Sequence, residues 1–182
     1  MLIVKFPQED FLSNTANKQC LIKQLGKSLS EKGIKIVYSD GDADTLIATT
    51  ATALSEMYEG AVFVVSEDTV VMVLLIHYAK QNLYMLRPGR SLKPNKIINI
   101  SKLQHKLGPL KNVLLAMHAS SGCDTTSGLF NRGKTNLVNT VKKKNLFNLL
   151  EEFYNSNVSK DRLRTLISTF IISVYVKNRT GI

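Results

Sequence analysis

The chain has 182 residues, 44% of them hydrophobic and 21% charged, the proportions of a folded globular protein and not of a disordered or fibrous one. Its longest apolar run, residues 70–76, falls far short of the roughly 20 residues a membrane helix needs, and the N-terminus lacks the charged, apolar and small-residue layout of a signal peptide. The formal net charge of +10 argues against a cationic partner and directs attention to polyanions.

In chain order, residues 15–31 are patterned as a helix, and residues 33–38 (GIKIVY) as a β-branched strand. Asp40, Asp42 and Asp44 follow that strand. A helix is expected over 44–58 and a second apolar strand over 61–65, with Asp68 just beyond it in Ser66-Glu67-Asp68-Thr69. Residues 83–86 and 96–100 are further strands, separated by the turn Arg87-Pro88-Gly89. Helices are then expected over 110–118, 134–154 and 160–177, the last capped by Ser159 with Arg162 and Arg164 facing solvent. Continuous apolar strands between helical segments predict a three-layer α/β domain with a mostly parallel central sheet and a helical C-terminal part, one domain over residues 1–182.

The charge is unevenly spread. Residues 1–91 hold nine basic and ten acidic side chains, a net of −1, whereas residues 92–182 hold fifteen and four, a net of +11. A basic half of this kind is the footprint of a nucleic-acid partner, because each neutralised phosphate releases counterions. The two cysteines, Cys20 and Cys123, form no framework spacing. Reduced thiols and an intracellular, nuclear or cytoplasmic setting are therefore expected.

Residues 118–135, HASSGCDTTSGLFNRGKT, admit two readings. Gly128, Gly133, Lys134 and Thr135 fit the G-x-x-x-x-G-K-[ST] phosphate loop, whose backbone N–H groups and lysine cradle a nucleotide. That loop requires a buried strand before it and a sheet-forming chain after it, but polar turn formers precede it and helical patterning follows. In the other reading Asp124 joins Asp42, Asp44 and Asp68 as strand-end carboxylates, in the place where open α/β sheets bind ligands. Carboxylates within about 4 Å of one another repel by roughly 4 kcal/mol per pair at an effective dielectric of 20. Oxygen-only ligation of that kind selects Mg²⁺ or Mn²⁺, and one or two such ions activate water for phosphodiester cleavage. The expectation is that Asp42, Asp44, Asp68 and Asp124 converge on one divalent cation.

Asp42-Ala43-Asp44, Ser66-Glu67-Asp68-Thr69 and Ser121-Gly122-Cys123-Asp124, followed by Gly133-Lys134, resemble the core of the PIN-like superfamily in its flap-endonuclease branch. The longer string HASSGCDTTSGLFNRGK is similar to a group of invertebrate proteins associated with mobile elements. The resemblance spans about residues 12–176. It implies a metal-dependent nuclease with Asp42, Asp44, Asp68 and Asp124 as catalytic metal ligands. It also implies a turn at 128–134 that grips nucleic acid, DNA in preference to RNA, through Lys134 and Arg132. Two departures follow from the same comparison. Val70 stands where the family's S-x-D-x-D pattern has its second aspartate, and the family's first strand, with its aspartate, lies before this chain's start. The implied protein is a truncated or degenerate nuclease of weak or no activity, with a non-catalytic nucleic-acid-binding module and a phosphate-loop nucleotide binder as alternatives.

Overall fold

The computed structural model describes residues 7–89, 94–122 and 127–176. They form two compact units, Met1–Gly41 and Asp42–Ile182.

In the first unit α1 (Gln8–Ser13) leads through Asn14 into α2 (Thr15–Ser30). The Asn14 Oδ1 accepts the backbone N–H groups of Ala16 at 2.9 Å and Asn17 at 3.3 Å, supplying acceptors for two of the donors that every helix start leaves open. Gly26 is buried beneath Tyr38, whose hydroxyl would lie 2.1 Å from a Cβ at position 26. A side chain at position 26 would displace the Tyr38 ring from this contact. The Ile34 N–H closes α2 on Leu29 O at 3.1 Å.

The second unit begins with α3 (Ala43–Met57), then β1 (Val62–Val65), α4 (Thr69–Tyr78), β2 (Leu83–Arg87), β3 (Lys96–Asn99), α5 (Ile100–Leu107) and α6 (Leu110–Ser120). It continues with α7 (Lys134–Lys144), α8 (Phe147–Glu151), a short 3₁₀ turn and α9 (Lys160–Tyr175). Strands β1 and β2 pair in parallel, Val62 opposite Leu83 and Val65 opposite Leu86. Strand β3 runs antiparallel to β2, with Tyr84 opposite Asn99 and Arg87 opposite Lys96.

The expected mostly parallel sheet of a PIN-like three-layer domain is not what forms. Helices dominate, and the sheet among the described residues is a three-stranded mixed one in the order β1-β2-β3. Two physical reasons account for the difference. Residues 33–38 enter no ladder, and Ile34, Val37 and Tyr38 are exposed, because β-branched alternation makes a strand only where another strand supplies hydrogen bonds. Between β2 and β3 the connection is eight residues, shorter than the dozen or more a parallel crossover requires, so β3 must turn back.

The helix over 134–154 is likewise interrupted. Asn145 adopts the left-handed conformation at φ 50°, which asparagine tolerates better than other non-glycine residues, and it ends α7. The three lysines 142–144 then occupy a helix C-terminus, where the macrodipole favours cations, and Lys144 donates to Ser173 O at 2.7 Å and to Val176 O. Helix α4 and helix α5 were not foreseen from periodicity. The former is apolar all round, with Val71, Val73, Leu74, Leu75 and Ile76 buried, so it carries no amphipathic signal.

Two cores result. The first gathers Ala48 and Ala51 of α3, Val71, Leu74, Leu75 and Ile76 of α4, and the inward strand residues Val64, Leu83 and Met85, with Ile100. The second is built by α6, α7, α8 and α9 around Val113, Met117, Leu137, Val141, Leu150 and Phe170. Helix α4 packs on α3, α5 and α6. The other sheet face stays open, with Phe63 at 51%, Val65 at 64% and Ile97 at 61% exposure. Among the described residues no helix is long and apolar enough to cross a membrane.

Leu75 is fully buried in the first core, so Leu75→Ala should lower unfolding free energy by about 2–5 kcal/mol in denaturant titration. Ile97→Thr, on the open face, should change it by no more than about 0.5 kcal/mol.

Candidate functional site at the strand ends

Parallel pairing of β1 and β2 brings their carboxyl ends to one edge. There Ser66 N–H donates to Leu86 O at 3.1 Å, extending the ladder by one residue. Beyond it opens a cleft of about 1030 Å³, lined by Ser66, Glu67, Asp68 and Thr69 from the end of β1. It is lined also by Arg87 at the end of β2, by Pro88 and Gly89 after it, and by Lys96 at the start of β3.

Local hydrogen bonds shape this edge. The Arg87 Nη2 donates to Glu67 O at 2.7 Å, pinning the 66–68 turn to the end of β2. Ser66 Oγ accepts the Asp68 N–H at 3.0 Å, and Asp68 Oδ1 accepts the Val70 N–H at 2.7 Å, which makes Asp68 the N-cap of α4. Arg87 and Lys96 line the cleft together with Glu67 and Asp68, so among the described residues its lining includes both cations and carboxylates. Sequence reasoning missed both basic residues. Their signal was positional, since each stands at a strand terminus, but a lone cation there is also a common solubilising choice.

Asp42 caps α3 in the same manner. Its Oδ2 accepts the Thr45 N–H at 2.9 Å and also the Thr45 hydroxyl. The Thr45 hydroxyl, and then the Thr45 backbone N–H, hold the Asp42 carboxyl below its ordinary value of 3.8. Asp44 lies in the first turn of α3, where a negative charge suits the helix dipole. Asp124 lies outside the described residues. Among those residues no three His, Cys, Asp or Glu side chains gather into a set that could hold a metal ion.

Val70 is half-buried in the first turn of α4 and packs against the first core. Arg132 is also half-buried: its guanidinium lies 5.1 Å from the centre of the Tyr175 ring, and the Tyr175 hydroxyl donates to Phe130 O at 2.8 Å. Lys134 opens α7 and is exposed.

A phosphate loop follows a buried strand directly. Among the described residues the element before residues 128–135 is helix α6. Gly128 has a different use: a Cβ there would come within 2.7 Å of Ser121 O, because the loop returns across the C-terminus of α6 and Leu129 N–H donates to Ser120 O at 3.3 Å. The glycine permits a close backbone approach. Comparison of the chain with models of protein families, with curated proteins and with solved structures finds no match.

Two outcomes follow. Asp42→Ala should lower the melting temperature while Asp42→Asn, an equally good cap, retains most of it. Because the folded-state carboxyl lies below 3.8, its stabilisation is present above that value and is lost as pH falls through the depressed one. The gap between wild type and Asp42→Ala should therefore be widest above about pH 5 and close in acid, as read by thermal melts across pH. Gly128→Ala should cost roughly 1–3 kcal/mol by forcing the 121–129 backbone apart.

Proposed function

We propose that this chain is a nucleic-acid-binding domain of nuclease type, with DNA the preferred partner over RNA, in which binding outweighs cleavage. The observation that carries this reading is the distribution of unpaired cations. In the basic half, the described acids are locally engaged: Glu152 takes a bidentate pair from Arg162 at 2.7 Å, Asp161 pairs with Arg164 at 3.1 Å, and Glu151 accepts from Asn112 at 3.1 Å. Lys102, Lys106, Lys111, Lys134, Lys142 and Lys143 are exposed and have no acidic partner among the described residues. Unpaired lysines on helix surfaces contact phosphates as point charges and give affinity without sequence preference.

Mg²⁺- or Mn²⁺-dependent cleavage is the second reading, favoured by the position of Asp68 in a cleft beyond the strand ends. In this reading Asp42, Asp44, Asp68 and Asp124 hold one or two ions. Capping leaves each of Asp42 and Asp68 a second carboxylate oxygen for a cation. With Val70 in place of a carboxylate, a second ion would be held mainly by water and poorly positioned. Misplacement of about 1 Å costs roughly a hundredfold in rate.

Duplex and single-stranded DNA should bind with affinity that falls steeply with salt, and joint replacement of Lys134, Lys142 and Lys143 by glutamine should reduce the slope of log affinity against log salt by about two to three. Affinity unchanged between low and moderate salt would defeat the proposal. Metal titration separates the two readings: Val70→Asp should raise Mn²⁺ affinity at some loss of packing stability. Strong Mg²⁺-dependent cleavage by the unmodified chain, abolished by Asp68→Asn, would establish catalysis as the principal activity.

A further inference from the structure

The C-terminal end of α4 meets α6 and the 3₁₀ turn after α8 at a cleft of about 590 Å³, which shares no lining residue with the strand-end cleft. Three rings gather there. The His77 imidazole stacks on Tyr154, with centroids 5.7 Å apart and planes 19° from parallel, and lies at 78° to Tyr78 with centroids 4.9 Å apart. Tyr154 and Tyr78 remain 40% and 37% exposed and belong to neither core, whereas the neighbouring Phe153 turns inward to pair with Phe170. The platform is held in place from both sides. The Tyr154 hydroxyl accepts the Ala116 N–H at 2.9 Å, and Gln104 Nε2 fixes the end of α4 by donating to Ile76 O and Ala79 O, each at 2.8 Å. Rings fixed in this way lose little freedom when a ligand stacks on them.

The charged groups of the lining narrow the ligand. Of its two lysines, Lys80 pairs with Glu56 at 2.7 Å, while Lys111 has no acidic partner among the described residues. Glu151, which accepts from Asn112 at 3.1 Å, also lines the cleft and would repel a phosphate brought to the rings. A phosphate therefore suits Lys111, and an uncharged planar group suits the rings. Every nucleobase has such a π-face, and aromatic platforms beside basic groups are how single strands are held without sequence preference. Bases inside a duplex are already stacked on one another, so only a single strand can present one. We infer that this cleft is a base-stacking site for single-stranded DNA, one base lying on the His77, Tyr78 and Tyr154 rings while a neighbouring phosphate lies at Lys111. The inference rests on the nucleic-acid-binding reading above and adds to it the strand state of the partner.

The experiment titrates the full chain, at several salt concentrations, with a short oligothymidylate carrying one central 2-aminopurine, whose fluorescence falls on stacking, and with a duplex of the same length. Binding of the single strand should quench the probe and shift the ring resonances of His77 and Tyr154. Tyr78→Ala and Tyr154→Leu should each weaken the single strand by roughly five- to a hundredfold, with the salt slope unchanged and duplex affinity within about twofold of wild type. Tyr154→Phe loses the bond to Ala116 but keeps the ring, so it should retain both affinity and quenching, which separates stacking from support of the fold. If Tyr154→Leu does not fold, Tyr78→Ala still decides, because its side chain is exposed. Steeply salt-dependent binding that these variants leave unchanged, or that they weaken equally for single strand and duplex, overturns the stacking site and leaves the nucleic-acid-binding reading standing. Absence of salt-dependent binding to either DNA overturns both.

Discussion

Burial of α4 is the constraint on which the second unit depends. Seven consecutive apolar residues, 70–76, leave no polar face for water, so this part of the helix must be covered, and it packs on α3, α5 and α6 with the inner faces of β1 and β2 nearby. Its position between β1 and β2 also makes the crossover that allows those strands to run parallel. Parallel strands bring two carboxyl ends to one edge, and that edge becomes the cleft. The same helix lines an apolar pocket with α5, α6 and α7.

At the edge, one chemistry competes with another. Asp42 and Asp68 stand where helices begin, and both spend a carboxylate oxygen on first-turn N–H groups. Capping and cation binding both reward a negative charge at that place, which is why an aspartate before a helix is ambiguous in a sequence. Geometry separates them by the company each carboxylate keeps. Here, among the described residues, Asp68 shares its cleft with Arg87 and Lys96 as well as Glu67, and those cations make the potential less negative than a cluster of acids alone would.

Charge elsewhere is sorted in a way that suits a polyanion. The few acids of the basic half pair or hydrogen-bond around α8 and α9, while lysines on α5, α6 and α7 remain unpaired among the described residues. Arg132 has been drawn into the packing of α9 by Tyr175, so it serves the fold of the 128–134 turn before it serves a ligand, whereas Lys134 stays available.

The sequence alone determined the helices at 15–30, 43–57, 110–120 and 160–175 to within a residue or two, because helical spacing, and for the last the Ser159 cap, are local signals. It also located the strands at 62–65, 83–87 and 96–99, and the asymmetry of charge. The pairing of those strands was decided only in three dimensions. Residues 33–38 have the pattern of a strand yet form no ladder, and β3 reverses because its connection is short. Residues 70–76 read equally as strand or helix, since an apolar run too short to show a period does not reveal which backbone will bury it. Nor could any sequence pattern reveal that Gly128 serves a backbone contact with Ser121, or that Arg87 and Lys96 meet at one edge, because those facts depend on residues distant in the chain becoming neighbours through packing.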